Sequence, residues 1–156
     1  MQKIIKIVLV VLVCTSLGYM SGMVTRDSIT TWYPTLVKPI FNPPNWIFAP
    51  VWTLLYIMMG IAAGLVWTSN TDEKTVQKAL GLFAIQFGLN ALWSYLFFGL
   101  HNPLLALIEI IVLLLLIFDT FTEFKKIDKI AGMLLLPYLA WVSFATILNA
   151  SIWWLN

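Results

Sequence analysis

Apolar residues run almost unbroken from Ile4 to Val24, Trp46 to Thr68, Val76 to Leu100, Pro103 to Phe124 and Ile130 to Trp154. Each run meets the roughly 20 residues that a helix needs to cross a ~30 Å hydrocarbon core. Backbone polar groups in lipid must be satisfied within the segment, so these runs read as helices. The polar breaks at Ser69–Lys74, His101–Pro103 and Glu123–Lys129 are short, which makes sequential neighbours antiparallel. The pattern predicts an all-α membrane protein, one bundle of five transmembrane helices over residues 1–156. Lys3 and Lys6 before an apolar stretch look like a secretory signal, but the stretch continues past Cys14 to Val24, and Val13 is not the small residue that lipoprotein cleavage wants. It reads as a retained first helix.

Composition agrees with the pattern: 61% of residues are hydrophobic and 10% charged, which no soluble domain of 156 residues can bury. A net charge of +2, without a basic patch, gives no footprint for nucleic acid. Cys14 is the only cysteine, so an internal disulfide is excluded, and its place in an apolar run marks a buried small hydrophobe. Lys3, Lys6, Lys74, Lys78, Lys125, Lys126 and Lys129 fall on one side of the five spans, and only Arg26 and Lys38 on the other. By the positive-inside rule the expected topology is N-terminus cytoplasmic and C-terminus outside.

The connection Arg26–Asn45 differs from the others. It carries Trp32, Tyr33, Leu36, Ile40 and Phe41 among Pro34, Pro39, Pro43 and Pro44, so it is expected to be a stiff apolar cap, spanning about 25–45, over the outer mouth. Helical phase splits the third helix into two faces. Gly81, Ala84, Gly88 and Ala91 make a stripe of small residues, expected to face outward and accept a second copy. Gln86, Asn90, Trp93 and Phe97 lie nearly opposite and are expected to face the bundle interior. Gly18-xxx-Gly22 and Gly60-xxx-Gly64 are expected to serve packing within the bundle, and Pro137 to kink the fifth helix. Trp52 and Trp93 both fall about 10 Å below the outer helix ends. With Tyr33 from the cap, and Trp141, Ala145, Leu148 and Asn149 on the fifth helix, they outline an aromatic, sparsely polar cavity suited to a flat apolar ligand.

Catalytic constellations are missing from the sequence. His101 is the only histidine, and Asp119 lies about 25 Å further along the fourth helix. No histidine, cysteine or carboxylate spacing suits a metal, and no glycine-rich loop suits a phosphate. Glu109, an acid inside a span, has no evident partner. Five spans do not divide into the inverted repeats of a secondary transporter.

Four blocks carry a family resemblance: Trp32-Tyr-Pro-Thr-Leu-Val-Lys-Pro39 with Asn42-Pro-Pro44, Phe48-Ala-Pro-Val-Trp-Thr-Leu-Leu-Tyr56, Gln86-Phe-Gly-Leu-Asn-Ala-Leu-Trp-Ser-Tyr-Leu-Phe-Phe98, and Leu136-Pro-Tyr-Leu-Ala-Trp-Val-Ser-Phe-Ala-Thr-Ile-Leu-Asn149. They resemble, in order and over nearly the whole chain, the TspO/MBR family of tryptophan-rich sensory proteins and mitochondrial translocator proteins. The resemblance implies a bundle that binds porphyrins such as protoporphyrin IX, and benzodiazepine- or isoquinoline-type ligands, with no cofactor required. Tyr33, Phe48, Trp52, Asn90, Trp93, Trp141, Ala145, Leu148 and Asn149 are the expected ligand-binding positions. It also implies an alternative: light- and oxygen-dependent porphyrin breakdown, with Trp52 and Trp141 as redox participants. Animal members carry a tyrosine followed by a basic residue at the end of the fifth helix. Here the chain ends Ala150-Ser-Ile-Trp-Trp-Leu-Asn156 without either, which argues against cholesterol and for a bacterial-type member in the plasma membrane.

Overall fold

A computed structural model describes all residues, Met1–Asn156. The chain folds as α1 (Gln2–Thr31), α2 (Phe48–Trp67), α3 (Glu73–Ser94), α4 (Pro103–Ile127), α5 (Lys129–Leu134) and α6 (Leu136–Leu155). Short 3₁₀ turns at Tyr33–Thr35 and Asn45–Ile47 flank the long connection, and a π-helical turn at Tyr95–Gly99 extends α3. Five stretches are long and apolar enough to span, with α5 and α6 together making the fifth, Lys129–Leu155. The break between them falls at Leu135, just before Pro137, whose ring cannot continue the preceding turn. Asp72, Asn102 and Asp128 cap α3, α4 and α5, each side-chain oxygen accepting from the backbone N–H three residues on. The bundle therefore has a lysine end, with the N-terminus and the 69–72 and Asp128 turns, and a cap end, with residues 32–47, 100–102 and the C-terminus.

The first helix runs seven residues beyond the predicted Val24. Arg26, Asp27, Ser28, Thr30 and Thr31 look like a polar loop in sequence, yet the segment stays helical, and the hydroxyls of Ser28, Thr30 and Thr31 all find acceptors. Thr30 and Thr31 donate to the Asp27 carbonyl at 3.0 and 2.7 Å. Ser28 donates to the Phe98 carbonyl across the bundle at 2.6 Å. With its one proton used there, Ser28 Oγ can only accept from His101 Nε2 at 3.1 Å, which fixes an N–H on that nitrogen. His101 is the only non-glycine residue with positive φ, 52°, and stacks on Trp32 with ring centroids 4.3 Å apart. These contacts hold a left-handed conformation that costs about 1 kcal/mol. The lone histidine is thus a structural pin at the α3–α4 corner.

Glycines bring α1 and α2 together at the lysine end. A Cβ on Gly60 would sit 2.6 Å from the Val11 Cα, and one on Gly64 2.8 Å from the Ile7 Cα, so only hydrogen fits there. Gly18 is pressed in the same way against the Tyr56 ring, whereas a Cβ at Gly22 would meet nothing within 4 Å. Of the two Gly-xxx-Gly pairs, Gly60/Gly64 serves packing at both positions and Gly18/Gly22 only at the first. Cys14 is 2% exposed in the apolar core, as its surroundings predict.

Candidate ligand-binding site

At the cap end the helices part around a cavity of about 680 Å³ lined by 27 residues, 17 of them hydrophobic. Tyr33, Phe48, Trp52, Trp93, Trp141, Ala145, Leu148 and Asn149 all line it. Trp52 stacks on Tyr56 at 5.5 Å, Trp93 on Phe97 at 5.2 Å, and Trp141 meets Phe48 edge-on at 6.2 Å. Each wall ring is therefore buttressed by another aromatic rather than free to collapse inward. Trp93 donates its indole N–H to Asn149 Oδ1 at 3.0 Å, and Asn149 Nδ2 donates to the Pro103 carbonyl at 2.8 Å. These two polar side chains hold α3, α4 and α6 together at cavity level.

Asn90 has a different place from the one expected. It is 4% exposed and absent from the cavity lining, because its amide is taken up within the core. Tyr56 donates to Asn90 Oδ1 at 2.9 Å, Asn90 Nδ2 donates to the Tyr138 hydroxyl at 3.1 Å, and Tyr138 donates to Gln86 Oε1 at 2.8 Å. This chain of side chains across α2, α3 and α6 forms a polar floor, and it reaches the cavity only through Tyr56. The interior facing of Gln86, Asn90 and Phe97 is as phase predicts, since all three are buried. The opposite stripe of Gly81, Ala84, Gly88 and Ala91 is exposed, and Cβ atoms on Gly81 or Gly88 would meet nothing. Glu109 is buried in α4 with neither carboxylate oxygen hydrogen-bonded, and it does not line the cavity.

The cap is fastened from several sides. Tyr33 is 2% exposed and donates to Asn42 Oδ1 at 2.6 Å, while Lys38 Nζ donates to the Tyr33 and Leu36 carbonyls at 2.8 Å each. Burial pushes the Tyr33 phenol up to about 12, against the opposing pull of the Asn42 bond. Asn156 grips Val37 twice, accepting from its N–H at 3.0 Å and donating to its carbonyl at 2.9 Å.

Sequence phase misses three contributions to the cavity. The first is α1, which lines it with Gly18, Ser21, Gly22, Thr25 and Arg26 among others. Its signal was present, since small and polar residues recur there at i, i+3/i+4 and i+7/i+8. The second is Phe98, which lines the cavity beside the expected Phe97 because the π turn, where Leu100 N donates to the Tyr95 carbonyl at 2.8 Å, shifts the register and turns it inward. The third is Phe144 on α6, which bridges Trp141 at 5.6 Å and Phe41 of the cap at 6.3 Å.

Comparison with known sequences decides the family. The sequence profile of the TspO/MBR family matches residues 9–155. The chain belongs to the TspO/MBR family. It is 42% identical over 155 residues to the tryptophan-rich protein TspO of Chlorobaculum tepidum, covering 99% of this chain and 98% of that one. It is 43% identical to the protein of the same name in Archaeoglobus fulgidus, with 99% of both chains covered. To the translocator protein of Bos taurus it is 36% identical, over 87% of this chain and 81% of the bovine one. TspO/MBR membership and the five apolar helices make this a multi-pass membrane protein of a family whose members are named as sensors and translocators.

Proposed function

We propose that this TspO/MBR protein is a tetrapyrrole receptor, binding protoporphyrin IX or a similar flat ring in the cap-end cavity to sense it or pass it on. The observation that carries the reading is the cavity itself. Its volume, about 680 Å³, lies within the ~300–1,000 Å³ of sites that enclose drug-sized ligands, and its walls are aromatic faces with few polar groups. Benzodiazepine- and isoquinoline-type compounds suit the same walls. Ligand binding needs no cofactor in this reading. The lysine end faces the cytoplasm of a plasma-membrane protein by its seven lysines, which leaves the cap outside. A second copy docks on the exposed α3 stripe, where Gly81 and Gly88 leave room for close helix approach.

Photo-oxidative breakdown of the bound ring is favoured by one observation. Trp93 has its indole N–H taken up by Asn149, but Trp52 and Trp141 face the cavity with no protein acceptor on theirs. The test is titration of purified protein with protoporphyrin IX in darkness and in light. A receptor loses modest affinity in Trp52→Phe and Trp141→Phe, of the order of the ~0.5–1.5 kcal/mol that ring stacking contributes. An enzyme gives one defined product in light and oxygen, absent with an unrelated membrane protein at equal porphyrin loading. In the enzyme case the same variants bind the ring but make no product.

A further inference from the structure

The cavity is not closed on the side between α1 and α2. Gly18 seals these helices against Tyr56, but above it they diverge: Gly22 faces open space, and cavity-lining Tyr19 and Met23 of α1 are 71% and 58% exposed. Thr53 and Ala49, on the opposing edge of α2, line the cavity and are exposed as well. Both edges belong to membrane spans, so the gap opens sideways into lipid. A ligand using it is one that already partitions into the bilayer.

One charged side chain lines this cavity, Arg26, a single turn above Gly22 on the cap side of α1. It is unpaired: both ion pairs of the chain involve Glu123 at the lysine end. The other cation of the cap end, Lys38, has its ammonium on the Tyr33 and Leu36 carbonyls and does not line the cavity. Ser21, five residues before Arg26 and also in the cavity lining, carries a hydroxyl that is enclosed by protein and has no hydrogen-bond partner. The aromatic cavity therefore has in its lining one exposed guanidinium, free of any carboxylate of the chain, and one enclosed hydroxyl without a partner. A guanidinium of this kind matches a carboxylate with two parallel hydrogen bonds.

We propose that the cavity selects amphiphilic anions, flat apolar bodies bearing a carboxylate, which slide in from the bilayer between α1 and α2 and place the carboxylate on Arg26. The inference rests on the cap-end cavity being the ligand site, but not on the ligand being a tetrapyrrole.

The test measures affinity by quenching of intrinsic tryptophan fluorescence, with the full chain in nanodiscs of neutral phosphatidylcholine. Two acid–ester pairs serve as probes: protoporphyrin IX with its dimethyl ester, and pyrenebutyric acid with its methyl ester. Arg26→Gln is expected to weaken an acid about tenfold while changing its ester by less than about twofold, and Arg26→Lys to restore part of the loss. High salt is expected to weaken the acid on wild type more than on Arg26→Gln. If porphyrins fail to bind but the pyrene pair shows this Arg26-dependent preference, the tetrapyrrole reading falls and the present inference stands. If acids and esters lose affinity equally in Arg26→Gln, or neither loses any, selection of anions by Arg26 is overturned while the cavity survives as a ligand site. If no probe binds wild type, both readings are overturned.

Discussion

At the lysine end α1 and α2 touch backbone to backbone, whereas at the cap end the same two helices stand apart around open space. Glycines occur at both levels, so residue type alone does not separate them. What differs is the neighbour: Gly60 and Gly64 face the Val11 and Ile7 backbone, while Gly22 faces a void. Below the cavity, Tyr56, Asn90, Tyr138 and Gln86 hydrogen-bond one another, while Gln86 Nε2 and both Glu109 oxygens have no partner. In the cavity, Arg26 and Ser21 are left unused. One level of the bundle is packed helix against helix and the other leaves a cavity between the same helices.

Substitutions at the two kinds of glycine break this comparison most strongly. Gly60→Val drives a side chain into the α1 backbone and is expected to cost about 3 kcal/mol, read as a large fall in thermal midpoint in detergent. Gly22→Val places the same atoms in space and is expected to leave the midpoint nearly unchanged while weakening ligand. Equal destabilisation at both positions would contradict the distinction between a packed and an open level.

Asn90→Leu comes next. It leaves the buried Tyr56 hydroxyl without its acceptor and Tyr138 without its donor, an expected loss of about 1–2 kcal/mol. Because Asn90 does not line the cavity, ligand affinity in the folded fraction is expected to change little. A large affinity loss at unchanged stability would return Asn90 to the site.

Gly88→Leu on the exposed α3 stripe is expected to weaken a dimer in bilayers by severalfold, with ligand affinity intact, as read by single-molecule subunit counting. An unchanged dimer would place the interface on another helix.

The smallest expected effect concerns the cap and pH. The Tyr33 phenol has its folded-state value raised from 10 to about 12, so the neutral form is the one the fold favours. Its contribution is then complete below pH 10 and lost as pH rises through about 12. Hydrogen-exchange protection of residues 33–42 is expected to hold to about pH 10 and fall above it, and Tyr33→Phe to remove that step. A step of equal size in Tyr33→Phe would assign it to another group.

The five spans, their alternation and the two faces of α3 were legible because lipid imposes long apolar runs and helical phase imposes a 100° repeat. Phase gives a direction but not a partner. Asn90 therefore read as a cavity residue, although Tyr56 and Tyr138 enclose its amide. The extension of α1 to Thr31 was hidden because its hydroxyls are satisfied by carbonyls, one of them 70 residues away at Phe98. The cavity wall on α1 was hidden for a related reason. Gly18 and Gly22 carry the same pattern, and only the position of Tyr56 makes one a contact and the other an opening.

The central claim, that the open cavity at the cap end is the seat of a flat ligand, is tested most directly by one titration. Protoporphyrin IX is added to purified wild type and Gly22→Phe, with binding read by tryptophan quenching and folding by thermal midpoint. The account predicts saturable binding of one ring per chain in wild type, and loss of that binding in Gly22→Phe at an unchanged midpoint, because the phenyl ring occupies space that is empty in the free protein. Non-saturating uptake in wild type, or equal saturable binding in Gly22→Phe, would contradict it.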